Sequence, residues 1–202
     1  MHIQARDFTI FVKSILYDYF INKKVLDVGS GDINGNNQFL FDNCHYEGND
    51  VIDTKNVTIV SKTKDLPFEK ESFDTITSTE CFEHDPEYKE SLLKIVDMLK
   101  PDGLCFFTCA STGRPEHGTR RTTPNHSYGT IGKIDRMEDY YKNLTIKDIA
   151  DVLDLNSIFS VWDSYYNSKS HDLYFVGIKT GKIHHNPLKK YVNSGVVLTT
   201  NS

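Results

Sequence analysis

The stretch VLDVGSGDINGN, residues 25–36, decides the fold. Four apolar-rich residues run straight into a glycine turn, and a polar segment follows that can restart a helix around residues 36–41. A buried strand, a tight turn and a helix in that order are the opening of a doubly wound α/β sheet. Further along, CHYEGNDVI, NVTIVS, FDTITS and LCFFTCAS read as four more strands. SIFSVWDSYY and DLYFVGIK read as a closing pair, antiparallel to one another at one edge. The expectation is a Rossmann-like, mostly parallel seven-stranded sheet with an antiparallel edge strand.

The intervening segments supply the helices. Phe8, Phe11, Val12, Ile15, Leu16 and Tyr19 recur at helical spacing before the first strand. Asp85-Pro86 predicts a helix start, with Asp as cap and Pro in the first turn, and Pro101-Asp102-Gly103 predicts its end. Thr145 is placed to cap a helix over TIKDIADVLD. From Thr112 to Asn143 periodicity disappears, and a loop that long within a domain is typically functional or mobile. The expected division is one domain over 1–180 and a tail or linker over 181–202.

The chain has 202 residues, 38% hydrophobic and 25% charged, with a net charge of −5. That composition is globular, and the acidic balance speaks against a nucleic-acid footprint, the pairs Lys62/Lys64 and Arg120/Arg121 being too local to make one. No apolar run has the length and flanks of a membrane span or signal peptide. Cys44, Cys81, Cys105 and Cys109 form no CxxC pair, which suits a reducing, cytoplasmic setting.

In such sheets ligands bind beyond the carboxyl ends of the strands. DVGSG, GND, STECFEH and CASTGRPEHG therefore share one rim. A dinucleotide turn needs a third glycine where this chain has Asn34, and Asp27 and Asp32 would repel a pyrophosphate. A cationic cofactor without phosphate suits those carboxylates better.

VLDVGSGDINGN, YEGNDV, DLPFEKESFDTITSTECFEHDP, LKPDGLCFFTCASTGRPEHGT and YYKNLTIKDI, from Val25 to Lys179, resemble the class I S-adenosylmethionine-dependent methyltransferases. They resemble in particular a type 11-like branch carrying GRPEHG, in which similar domains accompany glycosyltransferases in bacterial and large-virus glycan pathways. Ile33 replaces the third glycine of that family's usual turn. The resemblance implies S-adenosylmethionine as cofactor. Asp27, Gly29, Ser30 and Gly31 would line its methionine portion, and Asp50 and Val51 its ribose. Lys64, Asp65 and Leu66 would edge the adenine, and Thr79 and Glu80 would form the floor. A viral member would work in the host cytoplasm.

Glu80, Glu83 and His84 lie at i, i+3 and i+4, so a helical turn would put them on one face, and clustered carboxylates share a proton or a cation. With His117 added, the pattern resembles a metal site in small-RNA 2′-O-methyltransferases, implying Mn²⁺ or Mg²⁺ on Glu80, Glu83, His84 and His117. His84 or His117 would serve as base beside Glu83. The alternative is a metal-free site in which His84 bonds to backbone and Glu83 caps the helix. Arg114, Glu116, Arg120, His126, Tyr128 and Tyr140 combine charge with flat faces and suit a sugar or glycan acceptor. Sugar-hydroxyl O-methylation is the expected activity. Methylation of an RNA ribose or another small molecule, and a non-catalytic cofactor-binding module, are the alternatives.

Overall fold

The computed structural model describes residues 1–182, so the expected tail lies, from residue 183 on, outside the described residues. The sheet contains β1 (Lys24–Val28), β2 (His45–Asp50), β3 (Ile59–Val60), β4 (Phe73–Thr79), β5 (Leu99–Ala110), β6 (Phe159–Asn167) and β7 (Asp172–Lys179). Their spatial order is β3-β2-β1-β4-β5-β7-β6. The pairs among β1 to β5 are parallel, and β7 runs antiparallel to β5 and β6 on either side of it. The expected seven-stranded α/β sheet with its antiparallel closing pair is thus the observed one.

Alternation along the central strands feeds two cores. Phe107 and Phe175 pack on one face with Leu92, Ile95 and Met98 of α2 (Tyr88–Met98). Phe106 and Val176 pack on the other with Phe8 and Val12 of α1 (Ile3–Ile15). Phe20, without exposed surface, lies 5.6 Å from the Phe106 ring and holds that second core together.

Helix boundaries differ from the sequence reading for physical reasons. Asp85 does not cap α2; its carboxylate accepts from Glu87 N–H at 2.8 Å and Ser91 hydroxyl at 2.6 Å, so the helix opens later, at Tyr88. Pro101–Gly103 end no helix, because α2 already stops at Met98 and the triplet lies inside β5. There Asp102 adopts φ +61° and the register against β4 shifts. The helix expected after the glycine turn is only a 3-10 turn, Gln38–Leu40, because Asn37 ahead of it turns its amide to Asp27. Thr145 does cap α4 (Ile146–Ala150), in a reciprocal box with Asp148. Residues 112–143 contain only a 3-10 turn and α3 (Tyr128–Ile131), and α5 (Leu155–Ile158) leads into β6.

Removing the Phe106 ring leaves a cavity between α1 and the sheet. Phe106→Ala is expected to cost about 3–5 kcal/mol, read as a lower midpoint in urea unfolding. The exposed Val60→Ala should stay within about 0.5 kcal/mol of wild type.

Candidate active site

All parallel strands end on one rim, and a cavity of about 260 Å³ opens there. Asp27, Gly29, Gly31, Asp50, Val51, Thr79 and Glu80, all read from the sequence as cofactor residues, line it. Gly29 leaves β1 with φ +69°, and a Cβ on it would stand 2.6 Å from the Cys81 side chain. A Cβ on Gly31 would meet the Tyr128 ring at 2.2 Å and Asp50 at 2.7 Å. Glycine is required at both because two chain segments converge on the cavity.

The carboxylates differ in character. Asp50 accepts from Gly31 N–H at 3.0 Å and from Val51 N–H at 2.7 Å, which aims it along the cavity wall. Asp27 is fully buried; it accepts from Asn37 Nδ2 at 3.0 Å and from the Tyr46 hydroxyl. Burial lifts its pKa to about 6, and these hydrogen bonds only partly offset the push.

Seven residues assigned from the sequence lie elsewhere. Lys64, Asp65 and Leu66 do not line the cavity; Ser61, Lys62 and Thr63 do. β3 ends at Val60, so the rim begins at Ser61, and the next turn carries Leu66 down into the core. Ser30 points away, its hydroxyl donating to Asn56 O at 2.9 Å. Glu116 and Arg120 face solvent, paired with Arg121 and Asp139, and Tyr140 is half-buried outside the cavity. Arg114, His126 and Tyr128 do line it.

Glu80, Glu83 and His84 do not share a helical face. Glu80 takes φ +55° directly after β4, and the turn that follows, Phe82–His84, is 3-10. The side chains consequently separate into two groups, each with ligand atoms within 4.8 Å of one another: Glu83, His84 and His117, and next to them His2, Glu80 and Asp172. Glu80 thus leaves the expected metal set.

In the first group, Glu83 has no exposed surface, and neither carboxylate oxygen has a hydrogen-bond partner among the described residues. Burial raises its pKa well above the carboxylate range, and the Glu80 charge adds to this. The N–H groups of Glu83 and Ala110 pull the other way without meeting hydrogen-bond geometry. His84 Nδ1 is likewise buried and unpaired, and burial followed by the nearby His117 lowers that imidazole to about 3. His117 Nδ1 lies 3.1 Å from Pro115 O, which makes Nδ1 the protonated nitrogen and leaves Nε2 an acceptor. The two rings stand 4.9 Å apart at 86°, with Tyr141 4.9 Å from His117. Two neutral imidazoles and a protonated carboxyl at one spot can pass a proton or, deprotonated, hold a cation.

Sequence reasoning missed His2, Lys62, Cys81, Asp85 and Met137 as cavity residues. Lys62 follows from where β3 ends. A lone histidine ahead of the first helix gives no such signal.

Residues 26–107 match the family model described as a methyltransferase domain. No curated protein matches the chain. Among solved structures, it is similar to 1,6-didemethyltoxoflavin-N1-methyltransferase of Burkholderia thailandensis, solved with S-adenosylhomocysteine, at 16% identity and TM-score 0.60 over 89% of this chain and 79% of that one. The YcgJ protein of Bacillus subtilis follows at 14% identity and TM-score 0.57, over 87% and 99%. Phosphoethanolamine N-methyltransferase 2 of Haemonchus contortus, also with S-adenosylhomocysteine, is similar at 14% identity and TM-score 0.55, over 83% and 52%. These likenesses establish the fold.

Asp27 makes a solution prediction. Its folded pKa of about 6 lies above the ordinary 3.8, so its contribution is fully present below pH 3.8 and is lost as pH rises through 6. Burying its charge costs about 3 kcal/mol at pH 7 relative to pH well below 3.8. Asp27→Asn should remove that slope from a pH series of urea midpoints; an unchanged slope would assign the loss to other groups.

Proposed function

We propose that the protein is an S-adenosylmethionine-dependent O-methyltransferase acting on a hydroxyl of a sugar or glycan. The observation that carries this reading is the buried, unpaired Glu83 and His84 beside the rim of a methyltransferase domain. The cavity residues fit the cofactor: Gly29 and Gly31 leave room for close approach, and Asp50 keeps lone pairs free for two ribose hydroxyls. Bound there, S-adenosylmethionine supplies a methyl group on a positively charged sulfur.

Two solved structures of this fold were determined with the demethylated product, and those proteins are N-methyltransferases by name. Preference for oxygen here rests on the acceptor end. His117 Nε2 is left free to accept a proton, whereas His84, lowered to about 3 by burial, is too weak a base for that task and offers a neutral nitrogen lone pair. Arg114 and His126 add hydrogen-bonding groups around a hydroxylated acceptor. A neutral amine is already a good nucleophile without losing a proton and needs less of this help.

Glu83 and His84 do not behave as a cap and a backbone-bonded ring, which speaks against the metal-free alternative. The oxygen and nitrogen donors of Glu83, His84 and His117 fit Mn²⁺ or Mg²⁺, which would lower the pKa of an acceptor hydroxyl. Such a charge reverses the upward push on Glu83. A protein of this kind works on the product of a glycosyl-transfer reaction, and a glycosyltransferase is its expected partner.

A panel of glycans incubated with isotopically labelled methyl donor and read by mass spectrometry tests the acceptor class. Label on amines and none on sugars would refute it. Glu83→Ala and His84→Ala should lose about 10²-fold or more in turnover while calorimetry still registers S-adenosylhomocysteine. EDTA should stop turnover and Mn²⁺ restore it; full activity in EDTA retires the metal and leaves the hydroxyl reading.

A further inference from the structure

The second cluster, His2, Glu80 and Asp172, is outside the chemistry described above. We infer that His2 is a strap, tying the first turn of α1 across one wall of the cofactor cavity, and that product cofactor leaves only when this tie parts. The inference rests on the cofactor reading under Proposed function.

His2 Nε2 stands 2.8 Å from Asp172 Oδ2 and 3.2 Å from Glu80 Oε2. Its Nδ1 lies 3.0 Å from Gln4 Oε1, while the Ala5 N–H reaches the same nitrogen only at 3.5 Å, the outer limit of a bond. Nε2 sits at ion-pair distance from both carboxylates without meeting hydrogen-bond geometry. Burial opposes a charge on the ring, but Asp172 and Glu80 outweigh it and raise the pKa to about 10, so the ring is an imidazolium at neutral pH. Its two anionic partners come from the carboxyl end of β4 and the start of β7, and Asp172 has no exposed surface.

Two weaker ties accompany the His2 contacts: the Met1 amino group donates to Asn34 O at 3.3 Å, and the Arg6 guanidinium lies 5.2 Å from the centre of the Phe39 ring. Ile3 is 67% exposed, and the buried side chains of α1 begin at Ala5. Met1 and His2 nevertheless line the cavity, together with rim residues such as Asp50 and Cys81. A cofactor held there is therefore walled on one side by a turn that the His2 ion pairs tie to the sheet.

A metal ion does not explain the cluster. Arg114 reaches Asp172 at 3.4 Å and Glu80 at 3.8 Å, so two cationic side chains already balance two carboxylates. Thr108 completes Glu80, donating at 2.8 Å. Removing the imidazolium leaves Asp172 half-neutralised and the turn untethered.

The full chain, wild type and His2→Ala, is compared by hydrogen–deuterium exchange and by stopped-flow release of S-adenosylhomocysteine. In His2→Ala, residues 3–9 should exchange about tenfold faster or more, and the product should leave about tenfold faster, a shift of about 1.4 kcal/mol. Amides of α2 and the sheet should keep wild-type protection. His2→Lys, which retains the charge, should recover part of both effects, and His2→Gln stands in should the alanine variant not fold. Wild-type release from a folded His2→Ala or His2→Gln protein overturns the strap alone. Absence of any heat from S-adenosylhomocysteine with wild type overturns the cofactor reading and the strap with it.

Discussion

The site depends on one close approach. The turn after β1 passes the turn after β4 so tightly that a Cβ at Gly29 would stand 2.6 Å from Cys81. Two neighbouring parallel strands must end at the same height for this to happen, and the β1–β4 register carries Val28 level with Ser78. Everything else on the rim inherits that geometry. Asn37 can reach both Asp27 and Thr79 only because the two strand ends are level, at 3.0 and 3.3 Å. Glu80 is then turned by its positive φ toward β5 and away from the residues that follow it.

The legible part of the sequence was the part dictated by period and by strand ends. A short apolar run followed by glycines has few solutions, so β1, its turn and the residues Asp27, Gly29, Gly31 and Asp50 could be placed without coordinates. Where the reading slipped, a local hydrogen bond had outweighed a propensity. Asp85 has the right identity for a cap but spends its oxygens on Glu87 and Ser91. Spacing of i, i+3 and i+4 means one face only in an α-helix, and the left-handed residue at Glu80 breaks that relation before the turn begins. The adenine edge shifted by three residues because β3 is two residues long, a length that composition does not reveal. His2 was illegible for another reason: its partner Asp172 is 170 positions away and only the sheet topology joins them.

The loop over residues 112–143 shows how an aperiodic segment gains order. Tyr128 sets its ring against Gly31, and its hydroxyl meets Thr54 at 3.2 Å. At the other end of the loop, Lys142 N–H donates to Glu83 O at 2.9 Å. The loop therefore touches both the glycine turn and the acid–histidine cluster, and a residue in it can respond to either end of the cavity. Gly118, at φ +69°, admits His84 so closely that a Cβ would stand 2.6 Å from its ring. No side chain longer than hydrogen fits there without moving the imidazole.

Glu80 and Glu83 are three residues apart, yet their surroundings drive their protonation in opposite directions. Burial acts against charge on both. For Glu80 the hydrogen bond and charge of His2, with Thr108 and Arg114, overcome it and lower the pKa. For Glu83 burial prevails, and the Glu80 charge itself adds to the upward push. One glutamate is thereby fixed as an anion that structures the cavity wall, and the other is held as an acid until something positive arrives. That division follows from Asp172 as much as from either glutamate, because a fully buried anion on β7 draws His2 and Arg114 to the Glu80 side. Had those cations lain near Glu83 instead, it would be ionised and paired, with nothing left to offer a ligand. A positive charge brought beside Glu83 would favour its ionised form, and a proton relieves the same buried charge in another way, so the two are alternative answers to one electrostatic strain.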